Sequence, residues 1–440
     1  GRTYEGYGED PALVASLSRA YIAGLQGADL AADDAVVATA KHFVGDGGTA
    51  WGSSTTRDFA IDQGVTSVDD ATFEVIHLAP YRAAIEAGVR VVMASFSSTP
   101  AGKLHGDRRL LTDVLKGELG FTGFVVSDWA GVDQVADHYS AAVAQSIMAG
   151  IDMVMVPYDA AMFQETVREG LAAGAISPAR IDDAVLRILR VKFEMGLFER
   201  PMPPAGRTAV VGSTDDRALA RDAVGASAVL LETAPGVLPV GPTDTVLLAG
   251  PGADDIGRQS GGWTISWSGS LGAITPGTTI ADALRGRLGE RLRFDAAAVF
   301  EAGARGDVGI VVVGEFPYAE GRGDSATLTL PPEEVALVAS MRPRVDRLVV
   351  IVLSGRPMML DEFLGTADAV IAAWLPGTEG EGLADVLLGD RPFTATTPYT
   401  WPLTPDDAPR AAEGPCRFPL GYGLDASGAP LGGPACVSGQ

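Results

Sequence analysis

A carboxylate at the end of an apolar run, with an indole beside it, is the first feature of this chain that could do chemistry. Asp128 closes the run Gly123-Phe124-Val125-Val126-Ser127 and is followed by Trp129. An aspartate there either caps the next helix or acts on a substrate. The adjacent aromatic ring favours the second use, because sugar rings stack on such platforms beside catalytic carboxylates. Two more carboxylates, Glu315 and Glu320, share a proline-bent loop after the apolar run 308–313. Either is an acid candidate; the plainer alternative for each is a salt-bridged surface glutamate. Lys41-His42 ends another run and leads into Gly45-Asp46-Gly47-Gly48-Thr49, a loop too glycine-rich to be only a cap. Trp263 and Trp267 stand four apart in the loop 261–267. An exposed pair of indoles is unfavourable unless it covers a ligand.

Other chemistries are poorly supported. Gly250-Pro251-Gly252 follows a strand-like run, but Asp255 occupies the third glycine position of a dinucleotide fingerprint, so a tight turn is the better reading. There is no Walker motif and no Gly-x-Ser-x-Gly elbow at a strand end. The four histidines (His42, His77, His105, His138) and two cysteines (Cys416, Cys436) lack metal-ligand spacing. No metal and no cofactor are therefore expected. The two thiols are either independent or joined in a disulfide that implies an oxidising compartment, and the residues leave both open. The net charge of −23 argues against nucleic acid and anionic lipid as partners. No charge-free apolar stretch is long enough to span a membrane.

The elements that must position these residues follow from periodicity. Over 440 residues, length alone suggests about three domains, or two if one is a large barrel. From Pro11 to about Arg200, short apolar runs (36–40, 89–95, 124–127, 151–155) alternate with helical segments (11–26, 69–87, 110–119, 138–149, 160–173, 178–195). This predicts parallel β/α units. Lys41-His42, Ser95-Phe96 and Asp128-Trp129 fall just after strands, where β/α barrels carry their active sites. Four strands are half of a closed barrel. An open partial barrel is expected, with the strands at 36–40 and 151–155 toward its edges and an N-terminal portion upstream of Gly1. Residues 199–209, rich in proline, read as a linker. Residues 210–425 read as an open α/β sheet with helices on both faces, and 426–440 as an irregular tail.

Taken together, the segments resemble glycoside hydrolase family 3, and within it the two-domain exo-acting β-glucan glucohydrolases and β-glucosidases. The resemblance is carried by Arg2…Tyr4-Glu5…Glu9-Asp10, Lys41-His42-Phe43-Val44-Gly45-Asp46-Gly47-Gly48-Thr49, Ser127-Asp128-Trp129, Gly261-Gly262-Trp263-Thr264-Ile265-Ser266-Trp267, Gly314-Glu315-Phe316-Pro317-Tyr318-Ala319-Glu320 and Phe418-Pro419-Leu420-Gly421-Tyr422-Gly423-Leu424. It implies a (β/α)8-type barrel, lacking its first strands here, over residues 1–198, followed by an α/β sandwich. It implies release of glucose from the non-reducing ends of β-glucans, cello-oligosaccharides or β-glucosides.

The resemblance also assigns roles. Asp128 falls on the nucleophile and Glu320 on the acid/base, with Glu315 structural. Arg2, Lys41 and His42 fall on residues that hold sugar hydroxyls, and Trp129 and Trp267 on the aromatic walls of the leaving-group subsite. Phe96 and Trp263 complete the expected binding set. The nucleophile comes from the first domain and the acid from the second. Arg2, Lys41 and His42 would keep Asp128 ionised, and burial against Trp267 would favour the protonated form of Glu320. Phe96 departs from the family, where a tyrosine is common, and Thr99-Pro100-Ala101-Gly102 replaces a Trp-Asn-Gly sequence. The expected partners are β-linked glucose oligosaccharides, in a periplasmic or secreted setting. A non-catalytic carbohydrate-binding protein or inactive fragment, and a related β-xylosidase, are the alternatives.

Overall fold

In the computed structural model, residues 1–56, 58–407, 415–433 and 436 are described. They form two compact units, Asp10–Arg207 and Gly1–Glu9 with Thr208–Gln440.

The first unit begins at a well-made helix start. Asp10 accepts the amide of Ala12 at 2.8 Å, and Pro11 takes the position where a missing N–H is harmless. The helix Pro11–Gln26 ends at Gly27. Strands β1 (Thr39–Phe43), β2 (Val91–Ala94) and β3 (Phe124–Val126) form a parallel sheet in that order. Val126 makes a further parallel bridge to Met153, so the two edges are β1, which starts at Thr39 rather than at the expected 36, and the 151–155 segment. The last of these is a single bridge rather than a strand. The strands bury Phe43, Val92, Ala94 and Val125 against Leu110, Leu111 and Leu115 of the following helical layer. The helix expected over 69–87 forms, but its middle, Phe73–Leu78, is wound in wider π-type turns ahead of Ala79–Glu86. Pro80 lies just inside that last segment, and a proline can neither donate to the preceding turn nor tolerate its carbonyl close by.

In the second unit, β4 (Val229–Thr233), β5 (Val246–Ala249), β6 (Leu292–Phe294), β7 (Gly306–Gly314), β8 (Val345–Leu353) and β9 (Ala369–Trp374) form one sheet, ordered β4-β9-β8-β7-β5-β6. All neighbours are parallel except the β4 edge. Alternate residues go to opposite layers. Ile310, Val312, Val349 and Ile351 join helices Thr214–Ser227, Ile280–Leu288 and Glu381–Leu388 on one face. Val311, Val313, Val350 and Val352 join Pro332–Met341 on the other. A parallel sheet covered on both faces reads as unbroken apolar runs for this reason. This is the expected sandwich.

The opening nine residues, read above as part of the barrel domain, belong to this second unit. Tyr4 donates its hydroxyl to the Tyr318 carbonyl at 2.6 Å, and Tyr399 donates to the Thr3 carbonyl at 2.7 Å. The Glu9 amide donates to the Pro398 carbonyl at 3.0 Å.

The tail is less irregular than its composition suggests. Pro430–Gly432 pairs with Gly423–Leu424 across a turn in which Asp425 accepts the amides of Ser427 and Ala429. Cys416 and Cys436 are disulfide-bonded. Residues 434, 435 and 437–440 of the expected tail lie outside the described residues. No helix among the described residues is long and apolar enough to cross a membrane.

Candidate active site

In the first unit, the carboxyl ends of three parallel strands bring the sequence-predicted residues together. His42, near the end of β1, stands between two carboxylates. Its Nδ1 is 3.0 Å from Asp46 Oδ2 and its Nε2 is 3.5 Å from Asp128 Oδ2. The Asp46 carboxylate is held in turn by the hydroxyls of Ser95, just beyond β2, and Ser97, at 3.4 Å for the latter. Asp128 lies two residues past β3, and its side chain is 14% exposed. Its Oδ1 accepts the amide of Trp129 at 2.6 Å, and its own amide donates to Nε2 of the buried His105 at 2.9 Å. Phe96 packs its ring 5.9 Å from that of His105. Lys41 precedes His42 on β1 and is exposed. Trp129 is also exposed, with Tyr158 at its edge.

The second unit assembles the other candidates around Glu320. Glu320 has φ 52°, a left-handed conformation that is strained for a residue with a side chain. Strain of this kind concentrates at functional sites. Trp267 Nε1 donates to Glu320 Oε2 at 3.1 Å. Arg2 lies 3.3 Å from Glu320 Oε1 and 2.6 Å from Glu5 Oε2. Within its own unit, Arg2 thus lies beside the acid candidate. Trp267 was expected to act on Glu320 by burial, yet it contributes a hydrogen bond. The guanidinium of Arg322 covers one face of the Trp267 ring, 4.6 Å from its centroid.

Trp263 lies in the same loop as Trp267, with its amide donating to the Trp267 carbonyl at 2.9 Å. Trp263 and Ile265 both have positive φ. Gly262 allows the loop to approach Tyr318, because a Cβ there would collide with the Tyr318 carbonyl and the Tyr4 hydroxyl.

Glu315 is fully engaged elsewhere. It is ion-paired with Arg356, and its Oε2 accepts from Tyr318 Oη at 3.1 Å and the Gly355 amide at 3.2 Å. Of the two glutamates on this loop, Glu320 is the one hydrogen-bonded to an indole.

Asp46 and Ser95 were marked in the sequence only as parts of strand-end segments, with no role assigned, and His105 only as one of four histidines without metal-ligand spacing; the geometry gives each a definite partner. Among the described residues, no group of three or more His, Cys, Asp or Glu is arranged to hold a metal ion.

The chain thus joins, in sequence, a parallel β/α unit with a carboxylate at a strand end to an α/β sandwich bearing a second carboxylate hydrogen-bonded to an indole. Residues 1–191 match the N-terminal domain of glycosyl hydrolase family 3, and residues 228–426 match its C-terminal domain. The chain belongs to that family. An exo-1,3/1,4-β-glucanase from a Pseudoalteromonas species, solved as a point mutant, is 38% identical with a TM-score of 0.90, covering 100% of this chain and 73% of that one. A β-glucosidase from Listeria innocua, solved in complex with glucose, is 28% identical with a TM-score of 0.82, over 93% of this chain and 57% of that one. A lysosomal β-glucosidase from Dictyostelium discoideum is 31% identical over 92% of this chain and 53% of its own length. The chain thus spans about half the length of that curated relative.

Proposed function

We propose that this protein is a retaining exo-β-glycoside hydrolase that releases glucose from the non-reducing ends of β-glucans, β-linked oligosaccharides and simple β-glucosides. The observation that carries the reading is the placement of Asp128: a carboxylate at the end of a parallel strand, with its amide on His105 and His42 Nε2 facing its second oxygen. Asp128 attacks the anomeric carbon and forms a glycosyl–enzyme ester while Glu320 protonates the departing oxygen. Glu320 then takes a proton from water, which cleaves the ester with overall retention. Lys41, His42 and Arg2 hold sugar hydroxyls, and Phe96, Trp129, Trp263 and Trp267 offer ring faces and apolar edges. The disulfide fits a periplasmic or extracellular setting.

The test is turnover of 4-nitrophenyl β-D-glucoside with the first-formed anomer identified by proton NMR. β-Glucose first supports the double displacement; α-glucose first excludes it. Binding of glucose without turnover supports a carbohydrate-binding protein instead. Asp128→Asn changes almost no volume and should lower turnover by several orders of magnitude. A variant retaining more than a few per cent of the rate removes Asp128 from the mechanism.

A further inference from the structure

Tyr158 is the most exposed large aromatic side chain among the described residues, at 85%, and nothing above uses it. Single exposed aromatics are ordinary and need no explanation. This one differs in how firmly its position is set. It lies between two anchored points of the chain. On one side, the Met155 amide donates to Ser127 Oγ at 2.8 Å, and the Met155 carbonyl accepts from the Ala130 amide at 3.2 Å. On the other, Asp159 caps the helix Ala160–Ala172 by accepting the Met162 amide at 2.8 Å. The Ser127 amide also donates to the Met153 carbonyl at 2.9 Å. The segment carrying Tyr158 is therefore laced to the one carrying Asp128 and Trp129.

The side chains meet as well. The Trp129 and Tyr158 rings stand edge to face, with centroids 6.3 Å apart and planes at 86°. Trp129 Nε1 donates to the Tyr158 hydroxyl at 3.4 Å. Trp129 follows Asp128 directly in sequence, and Tyr158 stands at the edge of its indole. Both rings are more than half exposed, so little apolar burial holds them there. Two exposed aromatic rings, set edge to face and joined to a strand-end carboxylate by neighbouring backbone, suit a neutral chain of sugar rings. The strongly acidic chain argues against an anionic ligand.

We propose that Tyr158 forms a platform for a second sugar ring on the leaving-group side, outside the ring that stacks on Trp129. This rests on the carbohydrate reading above. The ligand class is a β-glucan oligosaccharide longer than a disaccharide. The platform makes affinity rise with chain length.

The experiment is calorimetric binding of laminaribiose and laminaritetraose to the Asp128→Asn chain, which holds substrate without consuming it, with and without Tyr158→Ala. The tetrasaccharide should bind more tightly than the disaccharide. Tyr158→Ala should reduce that advantage by about threefold to tenfold, the effect of one stacked aromatic face. Tyr158→Phe should preserve it, because the ring and not the hydroxyl makes the platform. Equal weakening of both ligands would mean that Tyr158 only buttresses Trp129, and overturns the proposal. So does an unchanged ratio, or a tetrasaccharide that binds no better than the disaccharide. Turnover of 4-nitrophenyl β-D-glucoside by the unsubstituted chain is measured separately. Tyr158-dependent affinity without turnover removes hydrolysis and leaves the platform standing.

Discussion

The backbone N–H of Asp128 donates to Nε2 of His105, and that imidazole is completely buried. Nε2 must therefore be the unprotonated nitrogen, with the ring proton on Nδ1. Burial pushes the His105 imidazole down to about 3, helped by the charges of Lys103 and His42. The ring stays neutral across the physiological range and keeps a lone pair aimed at the turn that presents the candidate nucleophile. Protonation would place a donor against a donor.

This relationship predicts an acid-sensitive fold. His105 is depressed from its ordinary value of 6.5, so the unfolded chain gains a proton that the native chain refuses. The stability involved is fully present above pH 6.5 and is lost as the pH falls toward about 3. Between pH 7 and 5, before most carboxylates titrate, the unfolding midpoint should fall more steeply for the unsubstituted chain than for His105→Gln. The variant should be less stable at pH 7, having lost its fit to the Asp128 amide. Parallel slopes would show that His105 is not the titrating group.

The loop after β7 offers a second test. Glu315 is tied to Arg356, Tyr318 and Gly355, whereas Glu320 contacts Trp267 and Arg2. Glu320→Ala should slow substrates with poor leaving groups far more than activated aryl glucosides, and azide should partly restore the rate. Glu315→Ala should instead lower the melting temperature, because it leaves Arg356 buried without its carboxylate. Azide rescue of the Glu315 variant would reverse the two assignments.

A third prediction concerns the scaffold beneath Asp128. Asp152 has a fully buried side chain that meets Lys116 at 2.8 Å, Arg180, and the Val125 amide of β3 at 2.8 Å. Asp152→Asn leaves the mostly buried Lys116 without its carboxylate and Arg180 with Asp183 alone, beside the strand that carries the candidate nucleophile. Breaking such a pair costs about 3–5 kcal/mol. Urea unfolding should show a loss of that order, with activity falling only as the folded fraction falls. A loss below about 1 kcal/mol would mean that solvent reaches the cluster.

These residues also show what could be read from the chain in advance. The strand-end position of Asp128 was legible because an unbroken apolar run must be a buried strand, and its polar successor must lie at the sheet's edge. The double-faced sheet was legible for the same reason: β7 and β8 are too uniformly apolar to have a solvated side. The edge strand β6 was not, since Arg293 interrupts a run of only three residues. His105 was not legible either. Its partner lies 23 residues away, and a lone histidine before a glycine carries no period that points to it. The docking of Gly1–Glu9 on the second unit depends on Tyr4 meeting a carbonyl 314 residues later, which no local pattern encodes. Periodicity reports which face is buried. It does not report which distant group fills the last hydrogen bond.

The last prediction separates two uses of one indole. Trp267 has one face under Arg322, 4.6 Å from the ring centroid, so a sugar can stack only on the other. Its edge N–H is committed to Glu320 at 3.1 Å. Trp267→Ala removes both functions. It should weaken a disaccharide by about 1 kcal/mol, the contribution of a single stacked face, and weaken glucose much less, because glucose does not reach the leaving-group side. Trp267→Phe keeps a ring and loses only the N–H. Disaccharide affinity should then be largely retained while kcat falls, because Glu320 loses a contact that orients its carboxylate. Affinities by calorimetry and rates on the same disaccharide resolve the two effects. If Trp267→Phe reduces affinity as much as Trp267→Ala while leaving kcat untouched, the hydrogen bond to Glu320 has no part in the reaction and the indole serves binding alone.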